Sequence, residues 1–250
     1  MYEFFVRREQ ISEGQIVITG KDLRHMKDVL RMKIGEDFAV SDGGGDLQYQ
    51  CRLKAYTEEG AVAEILYVSD EKAELPCRIV LYQGLPKSDK METVIQKAVE
   101  LGASEVVPVV TARSIVKLDD KKAGAKVTRW QAISEAAAKQ SKRRKIPEIG
   151  QVLTYREALK EAGELDVLLI PYEMAEDMSH TRAVLESEVR SGRSIGIFIG
   201  PEGGFTPEEV QEACKAGAHA ITLGKRILRT ETAGMTVLSW LLYLLEDRQS

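Results

Sequence analysis

Two short stretches near the C-terminus combine residue types that bind and polarise small ligands. Residues 199–210 read IGPEGGFTPEEV and residues 223–234 read LGKRILRTETAG, and each follows an apolar run. The first places three glycines within five residues, which allows positive φ, expected at Gly203, and a close approach of backbone to ligand. The second places Arg229 among apolar residues and threonines, where its planar guanidinium can bind a carbonyl or a phosphate. We interpret both stretches as ligand-binding loops.

Each stretch also has an interpretation that involves no ligand. Thr206, Pro207 and Glu209 form the pattern of a helix start, with an N-cap, a proline at the first position and a capping box. Thr230 or Thr232 can likewise cap a helix, with an acidic residue in its first turn. Neither interpretation explains the glycines of the first stretch or the arginine of the second.

Several common functional motifs do not occur in the sequence. No GxGxxG follows the first strand of either half, and the chain has no GxxxxGK[ST], GxSxG or HExxH. The three cysteines and three histidines are scattered and form no CxxC pair. The sequence therefore favours neither a dinucleotide, P-loop or hydrolase site nor a metal site.

The elements that position the two loops fall into two regions. The first seventy residues hold short β-prone runs separated by glycines, interrupted by one helical stretch over residues 21–32. Short strands with frequent turn signals predict a small β-barrel. The composition turns polar over residues 69–76, and we predict one domain over 1–72 and another over 73–250.

The second region alternates apolar strands with amphipathic helices. Strands are predicted at RIVLYQGL, EVVPVV, DVLLIPY, SIGIFIG and HAITLG, with helices between them and a final helix at the C-terminus. Uniformly apolar strands alternating with helices predict an α/β domain with a parallel sheet covered on both faces. Ligands of such sheets bind at the C-terminal ends of the strands, where both loops lie.

The charge is uneven along the chain. The net charge is −4, but residues 126–147 hold seven Lys or Arg against one Glu, and residues 20–33 hold five against two Asp. Two basic faces can bind a polyanion despite an acidic average. The run over 139–145 can instead be a solvated helix end. No apolar run reaches the length of a membrane span and no signal-peptide core is present, so we expect a cytoplasmic protein.

A set of motifs resembles one known family. The chain contains QGLPKSDKMETVIQKAVELG, TARS, KQSKRRKIPEI, GPEGGFTPEE and LGKRILRTETA in this order, preceded by HMKDVLRMKIGE and SDGGG. This combination resembles the RsmE family, the ribosomal RNA uridine-N3 methyltransferases of the SPOUT class, over nearly the whole chain. One departure is Lys139, where many members carry an acidic residue.

The resemblance implies a fold and an activity. It implies a PUA-like β-barrel RNA-binding domain followed by a SPOUT-type α/β domain with a trefoil knot, although chains generally avoid threading loops. It further implies methylation of N3 of one specific uridine in 16S ribosomal RNA, within the small ribosomal subunit, by a homodimer that uses S-adenosyl-L-methionine and no metal.

The resemblance and the loop chemistry together give a set of candidate site residues. Arg229 is expected to stabilise charge on the uracil, and Glu231, or alternatively Glu202, to accept the N3 proton. Expected cofactor contacts are Pro171, Gly200, Pro201, Glu202, Gly203, Leu223, Gly224, Ile227, Leu228, Thr230 and Ala233. Expected RNA contacts are Arg7, Arg8, Lys87, Lys90, Arg113, Lys142, Arg143 and Arg144.

Two other functions are compatible with the residue patterns. One is a non-catalytic RNA-binding protein of the ribosome whose glycine-rich loops are structural. The other is a small-molecule transferase with an α/β pocket and no RNA substrate. Binding of S-adenosylmethionine separates the first from an enzyme, and salt-dependent RNA affinity tests the second.

Overall fold

The computed structural model describes residues 2–44, 47–70, 74–116 and 118–246. The chain divides into two compact units, one of Met1–Glu74 with Ala138–Ile146 and one of Leu75–Ala137 with Pro147–Ser250. The predicted boundary between residues 72 and 73 lies outside the described residues. The inclusion of Ala138–Ile146 in the first unit differs from the predicted two-part division. Over the described ranges, no helix has the length and apolar character needed to cross a bilayer.

The first unit contains a six-stranded sheet. Its strand order is β1-β4-β5-β6-β3-β2, with the β1–β4 pair parallel and the other pairs antiparallel. Two register shifts between β5 and β6 mark bulges, which bend and twist a strand. The strands are β1 (Glu3–Phe5), β2 (Ile11–Ser12), β3 (Gln15–Ile18), β4 (Asp37–Ser41), β5 (Gln48–Tyr56) and β6 (Ala61–Ser69).

The predicted helix of this unit is present in a modified form. Helix α1 (Gly20–Arg24) continues as a π-helical segment, His25–Val29, and Met26 is its buried residue. Arg31 follows with φ of 51°, a conformation that few non-glycine residues adopt. The chain therefore turns sharply directly after the π-helical segment.

The second unit contains a seven-stranded sheet whose pairs are all parallel, as the sequence predicts. The order is β10-β8-β7-β12-β11-β13, and β9 also pairs with β8. Two two-residue strands in this sheet were not predicted, because they are too short to show a pattern. The strands are β7 (Arg78–Gly84), β8 (Glu105–Val110), β9 (Glu148–Ile149), β10 (Leu153–Thr154), β11 (Val167–Pro171), β12 (Ser194–Ile199) and β13 (Ala218–Ile221).

Six helices alternate with these strands. Helix α6 begins as predicted, because the Thr206 hydroxyl accepts from the Glu209 N–H at 3.2 Å and the Glu209 carboxylate accepts from the Thr206 N–H at 2.9 Å. Thr230 and Thr232 both lie inside the last helix, so neither is its N-cap. The helices are α2 (Lys90–Glu100), α3 (Asp120–Ser141), α4 (Tyr155–Ala162), α5 (Met178–Glu188), α6 (Pro207–Lys215) and α7 (Thr230–Glu246).

The centre of the parallel sheet is closely packed and buried. Strand β12 lies between β7 and β11, and its Phe198 stacks on Tyr82 of β7 with ring centroids 4.6 Å apart. Both rings are fully buried. Strand β11 separates β12 from β13, so the turn that follows β11 lies between the two loops singled out in the sequence.

Candidate active site

One cavity of about 670 Å³ opens at the C-terminal ends of three neighbouring strands. Its walls are residues 171–173 at the end of β11, residues 199–205 at and after β12, and residues 222–230 after β13, together with Lys90, Arg113 and Ala233. Such a volume is typical of a small-molecule or cofactor site. The structure places all the predicted cofactor contacts on this wall: Pro171, Gly200, Pro201, Glu202, Gly203, Leu223, Gly224, Ile227, Leu228, Thr230 and Ala233.

The glycine-rich turn after β12 is folded tightly on itself. A Cβ atom on Gly200 would lie 2.9 Å from the carbonyl carbon of Gly204 and 3.2 Å from the backbone nitrogen of Phe205. Positive φ occurs at Gly204 (66°) and not at Gly203, where it was expected. A side chain at Gly203 would instead meet Arg113, whose Cβ is 3.1 Å away. The glycines are therefore required by backbone crowding at Gly200, conformation at Gly204 and a side-chain contact at Gly203.

Apolar and backbone groups form the wall contributed by the loop after β13. The side chain of Ile227 is 88% exposed although it is fully apolar, and it lines the cavity beside Leu223 and Leu228. An exposed apolar side chain in a concave site offers an apolar contact for a ring or an alkyl chain. The backbone turns back at Gly224, with φ of 99°.

A charged cluster stands at the edge of the cavity. The ammonium group of Lys90 lies 2.9 Å from a carboxylate oxygen of Glu202 and 3.8 Å from one of Glu231. Glu202 also accepts a hydrogen bond from the backbone N–H of Lys87 at 3.1 Å. Burial opposes ionisation of Glu202, but the hydrogen bonds from Lys90 and the backbone outweigh it and hold the pKa of this carboxyl below its ordinary value. Glu202 is thus ionised, paired and a weak base.

The two predicted catalytic residues are placed differently. Arg229 is exposed and lines the cavity. Glu231 is partly buried and does not line it, and one of its carboxylate oxygens is buried without a hydrogen bond within the described residues. The structure therefore brings Arg229, but not Glu231, to the cavity surface.

Three of the predicted RNA contacts are partly or fully buried and pair with groups within the chain. Lys90 pairs with Glu202, as described above. Arg143 and Arg144 are buried, and the Glu74 carboxylate accepts from the Arg143 guanidinium and from the Arg144 backbone N–H. The interpretation of Arg143 and Arg144 as exposed phosphate contacts is therefore corrected: the sequence run is basic, but its centre is an internal ion pair.

The remaining predicted RNA contacts are exposed. Arg7, Arg8, Lys87 and Lys142 are all solvent-accessible. Arg113 is exposed too, and its guanidinium donates to the Gly203 carbonyl at 2.7 Å, so it also forms part of the cavity wall.

Sequence reasoning missed two further cations of the wall. Lys225 and Arg226 line the cavity and are exposed. The signal for them was their position, directly before the apolar pair and Arg229 in GKRILR. With them the wall carries five Lys or Arg against two Glu, so the cavity is cationic. Across the described ranges, no three His, Cys, Asp or Glu side chains are grouped so as to hold a metal ion.

Comparison with known proteins agrees with this geometry. A family model described as an RNA methyltransferase domain matches residues 73–242, and one described as an RNA methyltransferase PUA domain matches residues 18–66. A Bacillus subtilis protein named ribosomal RNA small subunit methyltransferase E is 35% identical over 98% of each chain. The chain belongs to the ribosomal RNA small subunit methyltransferase E family.

Solved structures of two methyltransferases extend the match to three dimensions. One from Neisseria gonorrhoeae bound to S-adenosyl methionine has a TM-score of 0.85 at 34% identity, covering 98% of each chain. A putative methyltransferase from Legionella pneumophila in complex with the bound cofactor SAM has a TM-score of 0.83 at 29% identity, covering 97% of each chain. The predicted SPOUT-type α/β domain with a parallel sheet and the predicted PUA-like domain are confirmed, whereas the knot stays a prediction.

Proposed function

We propose that this protein transfers a methyl group from S-adenosyl-L-methionine to N3 of a uridine in small-subunit ribosomal RNA. The observation that carries the proposal is the cationic cavity at three strand ends, in a chain that matches methyltransferase E proteins over almost its full length. Two of the similar solved structures contain S-adenosylmethionine.

The cavity suits that cofactor in size and in chemistry. The tight turn at Gly200 and Gly204 brings backbone groups to the surface, where a ring edge can form hydrogen bonds with them. Leu223, Ile227 and Leu228 supply apolar walls for an adenine ring. When bound, the cofactor supplies an electrophilic methyl group on a sulfonium. Holding it and the uracil in line is the main contribution that a protein can make to such a displacement.

Arg229 has the position and the chemistry to stabilise the reacting uracil. N3 of uracil carries a proton, and it becomes a nucleophile only when that proton leaves and negative charge spreads onto the flanking carbonyl oxygens. A guanidinium offers two parallel N–H donors to such an oxygen and cannot lose its own charge. We assign this role to Arg229 because it is the predicted catalytic residue that reaches the cavity surface.

The acceptor of the N3 proton is chosen from the two carboxylates near Lys90, Glu202 and Glu231. Glu202 is held ionised by its hydrogen bonds and is therefore a weak base. One carboxylate oxygen of Glu231 has no hydrogen bond within the described residues and lies 3.8 Å from the Lys90 ammonium, farther than the 2.9 Å of the Lys90–Glu202 pair. Glu231 also lies two positions after Arg229. We propose Glu231 as the acceptor, reached by a rotation of its side chain away from Lys90.

The RNA is expected to contact exposed cations rather than the buried Arg143 and Arg144. Arg7, Arg8, Lys87, Arg113 and Lys142 are accessible, and so are the basic residues of α1 and the segment that follows it: Lys21, Arg24, Lys27, Arg31 and Lys33. The acidic residue of that helix, Asp22, is engaged at 2.9 Å by Lys139, so it neutralises its neighbours less. Exposed surface cations attract phosphates, and binding releases the counterions of the phosphates.

We also propose that the protein acts as a homodimer in the cytoplasm on RNA of the small ribosomal subunit. These statements rest on the likeness to methyltransferase E proteins. Sedimentation of the purified protein with and without small subunits tests the assembly state and the partner together.

The activity is tested with purified protein, S-adenosylmethionine carrying a labelled methyl group, and small-subunit RNA either free or in assembled subunits. The proposal predicts labelled 3-methyluridine after nuclease digestion and mass spectrometry. RNA binding without cofactor binding would favour a non-catalytic ribosomal protein. Cofactor binding with no salt-dependent RNA affinity would favour a small-molecule transferase.

A further inference from the structure

A glutamine outside the cavity wall is buried directly behind it. Gln83, the second-last residue of β7, has no solvent exposure and does not line the cavity. Its side-chain nitrogen donates to the Thr230 hydroxyl at 2.8 Å and to the Gly84 carbonyl at 2.9 Å. The Thr230 hydroxyl in turn donates to the Gly200 carbonyl at 2.6 Å. Three side-chain hydrogen bonds thus connect the ends of β7 and β12 with the start of α7.

The direction of this chain of hydrogen bonds is fixed by its two ends. The carbonyls of Gly84 and Gly200 can only accept, so the group facing Gly84 must be the amide NH₂ and the hydroxyl proton of Thr230 must face Gly200. A rotated amide would place its oxygen against the Gly84 carbonyl and would leave the Gly200 carbonyl without its donor. The orientation of the Gln83 amide therefore sets the direction of all three hydrogen bonds.

These hydrogen bonds act on a part of the wall where backbone segments pack closely. Gly200 begins the tight turn of the cavity, and Thr230 ends the loop after β13. A Cβ atom on Gly84 would lie 2.7 Å from the backbone nitrogen of Pro201, so β7 touches the turn beside the glutamine. The oxygen of the Gln83 side-chain amide is buried without a hydrogen bond within the described residues, and this costs folding free energy. An apolar side chain at this position would not carry that cost.

We propose that Gln83 is a positioning residue for the cofactor site. Through Thr230 it holds the Gly200 turn and the loop after β13 in the arrangement that receives the cofactor. This proposal rests on the proposed function, because it assumes that the cavity binds S-adenosylmethionine. Without these hydrogen bonds, the arrangement of the cavity wall that binds the cofactor is only one of several. The apparent dissociation constant for S-adenosylmethionine then rises, because it equals the intrinsic constant divided by the fraction of molecules in the binding arrangement.

The test compares Gln83→Met, which keeps the size and removes the donor, with Gln83→Glu, which reverses the hydrogen-bonding character at similar shape. Thr230→Val removes the hydroxyl, and Thr230→Ser retains it. The matched control is Gln131→Met, because the Gln131 amide also connects two segments of the second unit, at the Pro147 carbonyl (3.1 Å) and the Ile149 N–H (2.9 Å), away from the cavity. Titration calorimetry with S-adenosylmethionine alone gives the dissociation constant, and thermal melts give the stability.

The proposal predicts that Gln83→Met, Gln83→Glu and Thr230→Val raise the dissociation constant by about tenfold, and that Thr230→Ser binds the cofactor more tightly than Thr230→Val. The control Gln131→Met stays within about twofold of the wild type. A melting temperature that falls with an unchanged dissociation constant in Gln83→Met would overturn it. An equal effect of Gln131→Met would overturn it as well. If the wild-type protein itself binds no S-adenosylmethionine, the proposed function fails, and that result is distinct from either outcome.

A measurement on the wild-type protein covers the case in which the Gln83 variants do not fold. The side-chain amide protons of Gln83 are expected to exchange with solvent far more slowly than those of exposed glutamines in nuclear magnetic resonance spectra, and to shift when S-adenosylmethionine is added. Rapid exchange with no response to the cofactor would overturn the proposal.

Discussion

The tight turn at Gly200 predicts how the addition of one methyl group changes stability and cofactor binding. In Gly200→Ala the new Cβ lies 2.9 Å from the Gly204 carbonyl carbon and 3.0 Å from its Cα, and all three nearest atoms belong to backbone. Carbon atoms in favourable contact are about 3.5 Å apart, so the two sides of the turn must separate by roughly 0.5 Å. No flexible side chain is available to absorb that displacement.

Two effects are expected, one on stability and one on catalysis. Crowding of a packed interior costs about 1–3 kcal/mol of unfolding free energy. A displacement of about 1 Å at a reacting site costs on the order of 10² in rate, so half that displacement corresponds to about tenfold in methyl transfer. We expect Gly200→Ala to lower the urea midpoint and to weaken S-adenosylmethionine binding and transfer by about tenfold or more.

The assays are urea unfolding and titration calorimetry, with Gly124→Ala as the control. Gly124 lies in α3, and a Cβ there meets nothing within 4 Å. If Gly200→Ala unfolds at the wild-type urea concentration and binds the cofactor within twofold of the wild type, then the crowded turn and its role in the cavity are both wrong.

Four other predictions follow from the same structure. Arg229→Lys should leave cofactor affinity nearly unchanged and lower the single-turnover rate by about 10²–10³, because lysine keeps the charge and loses the planar pair of donors. The double change Lys21→Gln with Arg24→Gln should reduce the slope of log RNA affinity against log salt by roughly one to two units, measured by fluorescence anisotropy. Gly124→Ala should stabilise the protein by about 0.5–1 kcal/mol in urea unfolding, because the glycine sits in a helix with room for a methyl group. A thiol reagent at neutral pH should modify only Cys214 rapidly, because the other two cysteines are buried and burial raises their thiol pKa, to about 12 in one case.

Each of these predictions has an outcome that contradicts it. Arg229 has no part in the chemistry if the lysine variant turns over at the wild-type rate. A control pair, Arg52→Gln with Lys54→Gln, removes two cations that are already paired with Asp37 and Glu64; an equal loss of salt slope there would mean that α1 is not a specific contact. Destabilisation by alanine at Gly124 would show that its conformation or surroundings differ from those described. Rapid modification of all three thiols would mean that the buried cysteines are accessible.

Structural features that depend on residues close together in sequence were predicted well. The capping box of Thr206 and Glu209 was readable because both partners lie within four residues and their bonds are dictated by the helix start. The alternation of strands and helices was predictable because each buried strand is apolar along its length. The same pattern predicted that the strands pair in parallel. The position of the cavity followed in turn from the position of ligands at parallel strand ends.

Contacts between residues far apart in sequence were not predictable. The basic run over 139–145 was interpreted as exposed, because its acidic partner, Glu74, lies 69 residues before Arg143. Gln83 reads as one polar residue at the end of an apolar strand, and its hydrogen bond to Thr230 spans 147 positions. The glycines of GPEGG were interpreted as a ligand-binding loop with positive φ at Gly203, whereas the structure has backbone crowding at Gly200 and positive φ at Gly204.

The central claim is tested most directly by mass mapping of modified uridines in small-subunit ribosomal RNA from cells with and without the gene for this protein. The account predicts that one uridine carries an N3-methyl group only when the gene is present, and that a copy encoding Arg229→Lys restores it poorly. An identical set of modified uridines in both RNAs would contradict the claim that this protein is a uridine-N3 methyltransferase of the small subunit.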